Sequence, residues 1–444
     1  MMKVYFETLG CPKNFNDTQA AEAFLIKEGF EIADSPEEAD HIIVNTCGFI
    51  NDAKKESIEK IFEMAELKDQ GKTLTVSGCL SQRYASELTE EMPEVDLFIG
   101  VNDYGRLPGL LKELAGGRLA DRNSGSDSCA YASQLPLLER NIEKGSYSAT
   151  LRIAEGCDNC CAYCVIPSIR GGYRSKSMED VVSEAETLAE KGIKEIILIA
   201  QDVTNYGIDL YGRFMLPELL RKLVTVDGIR WIRLMYCYED RITDELIEVM
   251  AEEPKICHYI DVPIQHSSDH TLKEMKRRST GASIRNTISR LRDAMPDIAI
   301  RTTLIVGFPG ETEGDFDDLL EFVEEERFQR LGVFAYSQEE GTPAGDREDQ
   351  IPEDIKEMRL DQIMRTQLDI SYQHNQELVG SVLEVLVEAE DEDGSYIGRS
   401  RYDAPEIDNS VIFTSARDLE PGDIVNVYID DAFDYDLAGH ETEV

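Results

Sequence analysis

The sequence has few basic residues for its length and no long apolar run. Its 444 residues include 45 Lys and Arg against 88 Asp and Glu, a formal net charge of −43. A protein that binds nucleic acid through its phosphates needs a basic surface, so we expect no DNA partner. We favour a partner that is itself basic. No apolar stretch approaches the roughly 20 residues that cross a bilayer, and the start lacks the features of a secretory signal. We therefore expect a cytoplasmic protein with no membrane partner.

What the sequence does contain is enough apolar material for several folded domains. Hydrophobic residues make up 42% of the chain and charged residues 30%, which is ordinary for a globular protein. At about 150 residues per domain, the length predicts roughly three domains. The ten cysteines are expected to be metal ligands, catalytic thiols or core residues, because the cytoplasm keeps thiols reduced.

The first third of the chain alternates strand-like and helical patterns. Apolar runs at residues 4–6, 42–44 and 74–76 are each followed by a loop, and helical periodicity covers residues 18–28 and 54–67. Strands that alternate with helices in this way predict an α/β layer built on a parallel sheet.

Each of these loops carries one cysteine: Cys11, Cys47 and Cys79, separated by 36 and 32 residues. That spacing is close to one βαβ unit. Since the loops of a parallel sheet emerge at its carboxyl edge, the three thiols are expected to converge there as a cluster site. The alternative is three independent buried cysteines.

A segment rich in Gly, Ser and Asp, residues 116–134, predicts an exposed connection and a domain boundary near residue 136. Cys129 lies in it and is interpreted as an incidental thiol. Beyond it, six strand-like runs at residues 149–154, 195–200, 231–236, 259–264, 300–306 and 331–336 alternate with helical patterns. Six βα units predict a partial, open (β/α)6 barrel or a doubly wound sheet, with the site at the carboxyl ends of the strands.

The last segment, residues 376–444, has short alternating runs broken by glycines and predicts a small antiparallel β-barrel. It holds nineteen acidic and three basic residues, a net charge of −16. This concentration of charge exceeds what a uniformly solvated surface would need.

The most specific motif is C-x3-C-x2-C, formed by Cys157, Cys161 and Cys164 directly after the first of the six strands. Three thiolates on one loop can hold three corners of a cubane iron–sulfur cluster and leave the fourth iron open. Zinc is the alternative, although it normally takes a fourth Cys or His ligand, and none follows closely. Cys160 lies between these ligands and is expected to point away from them.

These motifs resemble the radical S-adenosylmethionine superfamily, and within it the methylthiotransferases. The resemblance covers essentially the whole chain through ETLGCPKN, NTCGFI, EGCDNCCAYCVIPSIRG, QDVTNYG, PIQHSSD, LIVGFPGET and GRSRYDAPEID. It implies an N-terminal methylthiotransferase domain over residues 1–136, a radical S-adenosylmethionine domain over 137–375 and an OB-like TRAM barrel over 376–444.

The resemblance also implies cofactors and site residues. It implies two 4Fe–4S clusters, one on Cys157, Cys161 and Cys164 and an auxiliary one on Cys11, Cys47 and Cys79. A deoxyadenosyl radical from S-adenosylmethionine would take hydrogen from an unactivated carbon, so the cofactors, and no catalytic side chain, carry the chemistry. Five residues at strand ends are expected to bind S-adenosylmethionine: Gln201, Asp202, Gln265, Gly307 and Phe308. Gln265 could equally be an ordinary buried amide.

Within that family, the resemblance is to the branch that methylthiolates the β-carbon of an aspartate in ribosomal protein uS12, with flavodoxin or ferredoxin as electron donor. The acidic barrel favours this branch, because a basic ribosomal protein suits its charge and tRNA does not. Two alternatives stay open. One is the same chemistry on isopentenyl-adenosine of tRNA, and the other is a non-catalytic iron–sulfur electron carrier or scaffold, although carriers normally have fully ligated clusters.

Overall fold

The computed structural model describes residues 2–124 and 140–443. Cys129 and the expected boundary near residue 136 lie outside these residues. The chain forms two compact units, which are described separately. The first comprises Met1–Glu143, Ala154–Lys176 and Ser337–Gly345; the second comprises Lys144–Ile153, Ser177–Tyr336 and Asp346–Val444. Among the described residues, no helix is both long and apolar enough to span a bilayer.

The first unit is built on a parallel sheet, as the alternating pattern predicts. Its strands are β1 (Lys3–Thr8), β2 (Glu31–Ile32), β3 (His41–Thr46), β4 (Thr73–Gly78) and β5 (Leu97–Phe98), ordered β2-β1-β3-β4-β5 within the described residues. Its helices are α1 (Pro12–Lys27), α2 (Asn51–Ala65), α3 (Cys79–Glu91) and α4 (Leu107–Ala115). Short 3₁₀ turns cover Glu66–Gln70 and Tyr104–Arg106.

Both faces of this sheet are covered by helices, which is why its central strand β3 is buried along its whole length. Successive side chains of a strand point to opposite faces. Ile42 and Val44 therefore pack with Ile61 of α2, whereas Ile43 packs with Leu25 of α1 on the other face. This two-sided burial makes the sheet a rigid platform for the loops at its carboxyl edge.

Two further pieces of chain complete the first unit. A two-stranded hairpin, β7 (Ala154–Glu155) and β8 (Arg174–Ser175), encloses the cysteine-rich loop and the short helix α5 (Ile166–Arg170). Residues 337–345 form a strap, in which Glu339 makes ion pairs of 2.8 Å with both Lys54 and Arg83. The strap also reaches the cysteine-rich loop, since Ala344 N donates to Ala162 O at 2.9 Å.

The second unit contains the six βα units predicted from the sequence. Its parallel strands, in the order β13-β12-β11-β10-β9-β6 among the described residues, are β6 (Ser148–Arg152), β9 (Glu195–Ile199), β10 (Trp231–Leu234), β11 (Ile256–Asp261), β12 (Ala299–Val306) and β13 (Arg330–Ala335). Its helices are α6 (Met178–Glu190), α7 (Ile208–Tyr211), α8 (Leu216–Leu223), α9 (Asp244–Glu252), α10 (Asp269–Glu274), α11 (Gly281–Ala294), α12 (Glu313–Glu326) and α13 (Glu353–Leu378). Short 3₁₀ turns cover Val203–Asn205 and Glu239–Arg241.

One predicted strand is displaced along the chain. The sequence pattern places the fourth strand at residues 259–264, but β11 runs from Ile256 to Asp261. Pro263 has no N–H to donate to a sheet ladder, and Gln265 has a φ of +70°. The predicted run therefore includes the loop that leaves the strand.

The C-terminal segment of the second unit is a closed barrel, as predicted. Its strands are β14 (Val382–Glu390), β15 (Tyr396–Ser400), β16 (Val411–Thr414), β17 (Ile424–Ala432) and β18 (Leu437–Glu441), joined in the order β14-β15-β16-β18-β17 over the described residues. Neighbouring strands pair antiparallel except β16 with β18, which is parallel.

Buried ion pairs dock the barrel on the amino-terminal edge of the six-stranded sheet. Glu195 at the start of β9 binds Arg233 Nε at 2.9 Å and Arg399 Nη1 at 3.0 Å. Asp403 binds Arg330 Nε at 2.8 Å at the start of β13. Asp408 accepts a hydrogen bond of 2.6 Å from Tyr259. The segment DAPEID, residues 403–408, therefore has a structural role that its sequence does not indicate.

Candidate functional site

Cys11, Cys47 and Cys79 lie at the carboxyl ends of three adjacent strands, β1, β3 and β4. Cys47 directly follows β3. Cys11 is the N-cap of α1, and Cys79 is the first residue of α3. The positive end of a helix dipole favours a thiolate. The sheet thus brings together the three cysteines that the sequence pattern singles out.

Glycines let these three loops approach one another. A Cβ on Gly10 would lie 2.8 Å from Cys47 Cβ, which places the loop of Cys11 against Cys47. Gly78 has a φ of +93°, and a Cβ there would lie 2.4 Å from Thr46 O. Both contacts are too short for a real side chain, so the loops meet only because these positions are glycine.

Asn14 ties two of the loops together. Its buried Nδ2 donates to Leu9 O at 2.8 Å and to Thr46 O at 3.0 Å, just before Cys11 and Cys47 respectively. Sequence reasoning missed this residue. The only available signal is its place in the first turn of the helix that begins after Cys11.

Arg170 brings a buried positive charge to the third cysteine. It ends helix α5 and is 2% exposed. Its Nη2 lies 3.1 Å from Asn14 Oδ1 and 3.5 Å from Cys79 Sγ. Asp17 at 2.9 Å and Glu155 at 3.2 Å complete its surroundings. Sequence reasoning missed this contact as well, because the two partners are 91 residues apart.

Burial keeps the thiols of Cys47 and Cys79 protonated until a metal binds. It is the largest of the effects that together raise the pKa of Cys47 to about 12; Cys79 and Cys11 also raise that pKa, whereas a hydrogen bond from the Phe49 backbone and the charge of Arg170 lower it. Burial also raises the pKa of Cys79, against the lowering effect of Arg170. Since a coordinating thiol is deprotonated by its metal, cluster assembly at this edge would release protons.

The second cysteine group lies on the loop between β7 and β8. Gly156 starts the loop with a φ of +78°, and a Cβ there would lie 2.1 Å from Gly172 O. Cys157 N donates to Gly171 O at 2.9 Å, and Asp158 Oδ1 accepts from Tyr173 N at 2.9 Å. The two arms of the loop are therefore held against each other at its base.

Backbone groups of this loop point at the predicted ligands. Asn159 N lies 3.4 Å from Cys157 Sγ, and Ile166 N lies 3.5 Å from Cys164 Sγ. Hydrogen bonds to the sulfurs are a usual feature of iron–sulfur sites. Cys161 is buried, whereas Cys160 is exposed with its Sγ 3.8 Å from Asp158 O. The loop thus fits a cluster held in the C-x3-C-x2-C register, with Cys160 outside it.

Both cysteine groups belong to the first unit. Over residues 2–124 and 140–443, no three His, Cys, Asp or Glu side chains are grouped to hold one metal ion. A cubane cluster makes a different demand, because each thiolate binds a separate iron and the thiolates lie farther apart. Each group supplies three thiols. Helix N-termini and a buried arginine adjoin the first group, and backbone N–H donors are aimed at the sulfurs of the second. Both surroundings fit such clusters.

Gln201 and Asp202 follow β9 in the second unit. Gln201 is partly exposed. The carboxylate of Asp202 is fully buried, accepts from Thr204 Oγ1 at 2.7 Å and from Asn205 N at 3.1 Å, and forms an ion pair with Arg241. Asp202 therefore holds its own loop in place, and a contact with S-adenosylmethionine stays a prediction for both residues.

The other predicted cofactor contacts follow β11 and β12. Gln265 is partly exposed and has a strained φ of +70°; such strain is concentrated at functional sites. Gly307 has a φ of +71°, and a Cβ there would lie 2.3 Å from Lys356 Cγ. Packing against α13 is therefore enough to require glycine at this position. Phe308 is fully buried, with its ring 5.4 Å from that of Tyr336. A role for its side chain in cofactor binding stays a prediction.

His266 and His270 have separate partners. The buried His266 Nδ1 accepts from Ser268 N at 3.0 Å, which leaves the proton on Nε2, 3.8 Å from Glu311. Burial lowers the pKa of His266 to about 3, so the ring is neutral. His270 binds Asp315 at 3.0 Å. Cys237 and Cys257 are fully buried, as expected of core residues.

Known families match all three parts of the chain. The family described as "Uncharacterized protein family UPF0004" matches residues 3–100, the Radical SAM superfamily matches 151–323 and the TRAM domain matches 379–441. The cofactors of a radical SAM domain are a 4Fe–4S cluster and S-adenosylmethionine. One solved structural neighbour of this chain, the methyltransferase TsrM from Kitasatospora setae, has such a cluster bound.

That TsrM structure has a TM-score of 0.58 and 16% identity, over 78% of this chain and 74% of its own. The cobalamin-dependent radical enzyme OxsB has a TM-score of 0.54 and 14% identity, over 83% of this chain and 56% of its own. At these identities the similarity establishes the fold alone.

Curated relatives are far more similar. The "Ribosomal protein uS12 methylthiotransferase RimO" of Lachnoclostridium phytofermentans is 48% identical over 441 residues, covering 99% of each chain. The protein of the same name from Geobacter sulfurreducens is also 48% identical, covering 98% of each chain. Similarity of this extent, with the domains in the same chain, shows that the protein belongs to the RimO family of radical SAM methylthiotransferases.

Proposed function

We propose that this enzyme methylthiolates the β-carbon of an aspartate in ribosomal protein uS12, using two 4Fe–4S clusters and S-adenosylmethionine. The observation that carries the proposal is the presence of two complete three-cysteine groups in one compact unit. Relatives named for the uS12 reaction support the substrate. We further propose that residues 1–136, 137–375 and 376–444 divide the work into auxiliary cluster, radical initiation and substrate docking.

The two cysteine groups would hold different clusters for different tasks. Cys157, Cys161 and Cys164 would bind three irons and leave one for S-adenosylmethionine, while Cys11, Cys47 and Cys79 would bind three irons of the auxiliary cluster. When bound, the cofactors supply a radical that can take hydrogen from an unactivated carbon, together with the sulfur and methyl groups of the product. The chain itself positions the ligands and buries Cys79, Cys157 and Cys161, whereas Cys11, Cys47 and Cys164 are partly exposed.

The barrel would attract a basic substrate. Several of its acidic residues are used internally, since Asp403 and Asp408 dock the barrel and Glu388 pairs with Arg399. Others remain exposed: Glu390, Asp391, Glu392, Asp393, Glu406, Asp418, Glu420, Asp431 and Asp434. Four of them are consecutive: Glu390 ends β14, and Asp391, Glu392 and Asp393 follow in the turn that leads to β15. Complementary charge of this kind speeds encounter with a basic protein and disfavours tRNA.

An anaerobic competition tests the substrate. The reconstituted protein receives reductant, sulfide and S-adenosylmethionine, together with both uS12 and isopentenyl-adenosine tRNA, and mass spectrometry identifies the products. We expect a methylthio mass gain on one aspartate of uS12. Methylthio-adenosine in the tRNA alone would overturn the proposed substrate, and the absence of S-adenosylmethionine cleavage with both clusters intact would overturn the reaction.

A charge-neutralised barrel turn tests the docking surface. We expect amide substitutions at Glu390, Asp391, Glu392 and Asp393 to raise the KM for uS12 about tenfold and to leave kcat unchanged, because electrostatic attraction acts mainly on encounter. The matched control neutralises four exposed acids of helix α12: Asp317, Asp318, Glu321 and Glu324. An equal rise in KM in both variants would show that overall charge, and not the barrel turn, attracts the substrate.

A further inference from the structure

One buried arginine connects the two cysteine groups. Arg170 lies six residues after Cys164, on the helix that ends the cysteine-rich loop. Its Nη2 is 3.5 Å from the sulfur of Cys79, which belongs to the other group. The same guanidinium binds Asn14, the residue that ties the loops of Cys11 and Cys47. A single side chain thus joins the loop of one predicted cluster to the ligand set of the other.

The surroundings keep Arg170 charged and fixed. It is 2% exposed, and its two carboxylate partners, Asp17 and Glu155, are 3% and 4% exposed. An arginine guanidinium is not deprotonated in proteins, and Asp17 at 2.9 Å and Glu155 at 3.2 Å pair with it. A planar fork with partners on several sides cannot rotate away from the sulfur. The positive charge next to Cys79 is therefore permanent.

We propose that Arg170 is a positioning residue that sets the reduction potential of the auxiliary cluster through its contact with Cys79. The inference rests on the proposed function, because it requires a cluster on Cys79. Reduction adds negative charge to a cluster, and a cation that donates to a ligand sulfur stabilises the reduced form. Arg170 therefore makes the auxiliary cluster easier to reduce.

The carboxylates around Arg170 allow a test of the direction in which local charge shifts the reduction potential. If the local charge controls the potential, removing the cation and removing an anion must shift it in opposite directions. A purely structural role predicts no such opposition, because both changes would simply loosen the same packing. Arg170→Gln should lower the potential, and Asp17→Asn should raise it. Arg170→Lys keeps the charge and should restore most of the potential.

The experiment isolates the auxiliary cluster. The parent carries Cys157→Ala, Cys161→Ala and Cys164→Ala in the full chain, so that only the Cys11, Cys47 and Cys79 group can bind iron. After anaerobic reconstitution, iron content is measured and the potential is determined by a redox titration followed by EPR. We expect Arg170→Gln to shift the ratio of reduced to oxidised cluster at least tenfold, which is 59 mV for a one-electron couple.

Arg83→Gln is the matched control. Arg83 belongs to the same unit, has a side chain 8% exposed and pairs with Glu339 at 2.8 Å, but its other hydrogen bonds go to backbone carbonyls and not to a sulfur. Its removal should leave the potential unchanged.

Three outcomes would overturn the inference. An unchanged reduction potential in an iron-loaded Arg170→Gln variant overturns the inference but not the proposed function. If that variant binds no iron, an unchanged potential in Asp17→Asn overturns it. If the parent itself assembles no cluster, the proposed function fails and the inference falls with it.

Discussion

The two cysteine groups of this protein are positioned in opposite ways. Cys157, Cys161 and Cys164 lie within eight residues, on a loop closed by its own hairpin and by the hydrogen bond from Cys157 N to Gly171 O. Cys11 and Cys79 are 68 residues apart and meet only because the strands before them are neighbours in a sheet. The first group is encoded locally and the second by the tertiary fold.

This difference predicts different sensitivities. The local group depends on one loop, so it should tolerate changes elsewhere in the sheet. The dispersed group depends on glycine contacts, Asn14 and Arg170, which come from separate parts of the chain. Since metal binding to a site of this kind is coupled to folding, modest structural damage should remove the auxiliary cluster first.

The largest expected effect comes from the local group. Cys161→Ala should abolish cleavage of S-adenosylmethionine, because no side chain can replace the cofactor in forming the radical. Reductive cleavage is measured by chromatography of the products. Cys160→Ala is the control and should retain cleavage, since Cys160 is exposed and outside the ligand register. Loss of cleavage in both variants would contradict that register.

Removing one ligand of the dispersed group should separate cleavage of S-adenosylmethionine from formation of the methylthiolated product. Cys47→Ala should abolish methylthiolated product and remove the auxiliary iron, yet leave cleavage of S-adenosylmethionine within a few-fold of the unmodified enzyme. Iron content and cleavage are measured on the same preparation. If Cys47→Ala and Cys161→Ala each lose both clusters, the two sites are not independent.

Substitutions of glycine extend the comparison of the two cysteine groups to protein stability. Gly78→Ala should cost about 3 kcal/mol of unfolding free energy and deplete the auxiliary iron, because its Cβ would strike Thr46 O in a left-handed backbone. Gly156→Ala, whose Cβ would strike Gly172 O, should deplete the iron of the local group instead. Denaturant titration and iron analysis report the two effects.

Gly71→Ala is the control for backbone strain. Gly71 also has a positive φ, of +84°, but no atom lies within 4 Å of an added Cβ. It should cost about 1 kcal/mol, the usual price of the left-handed region, and should remove no iron. A larger loss at Gly71 than at Gly78 would show that loop contact is not the limiting factor.

The smallest effect concerns pH. Burial lowers the pKa of His41 in β3 to about 4, below its value of about 6.5 in an unfolded chain. The unfolded state therefore binds more protons between these values, so stability falls as pH drops from about 6.5 to 4. This one residue should cost about 2 kcal/mol between pH 7 and 5.

Denaturant titration of the apoprotein at several pH values measures this slope. His41→Gln should reduce it, because the substitution removes the group whose pKa burial lowers. An unchanged slope in His41→Gln would show that His41 is not buried as a neutral ring.

Much of the fold could be predicted from sequence, because strand alternation and helical periodicity are local signals. The parallel sheets, the six βα units and the barrel are confirmed. The meeting of Cys11, Cys47 and Cys79 at one sheet edge could be predicted from their recurrence after successive strands. Asn14 and Arg170 could not, since their partners are distant in sequence and neither residue type signals such a contact.

The acidic segment at residues 403–408 shows the same limit. Its charges suggest a surface role, yet Asp403 and Asp408 are side chains 2% exposed that dock the barrel. Local composition cannot distinguish a carboxylate that faces solvent from one that meets an arginine more than 70 residues away.

The strap at residues 337–345 has a consequence for how the chain is made. Glu339 pairs with Arg83, 256 residues earlier. At about 5–20 residues per second, a ribosome adds the strap roughly 13–50 s after Arg83. During that interval the N-terminal domain exists without the carboxylate that neutralises Arg83 and Lys54. This domain therefore leaves the ribosome before the strap and can finish folding only after the strap arrives, so iron delivered earlier would meet an incomplete unit.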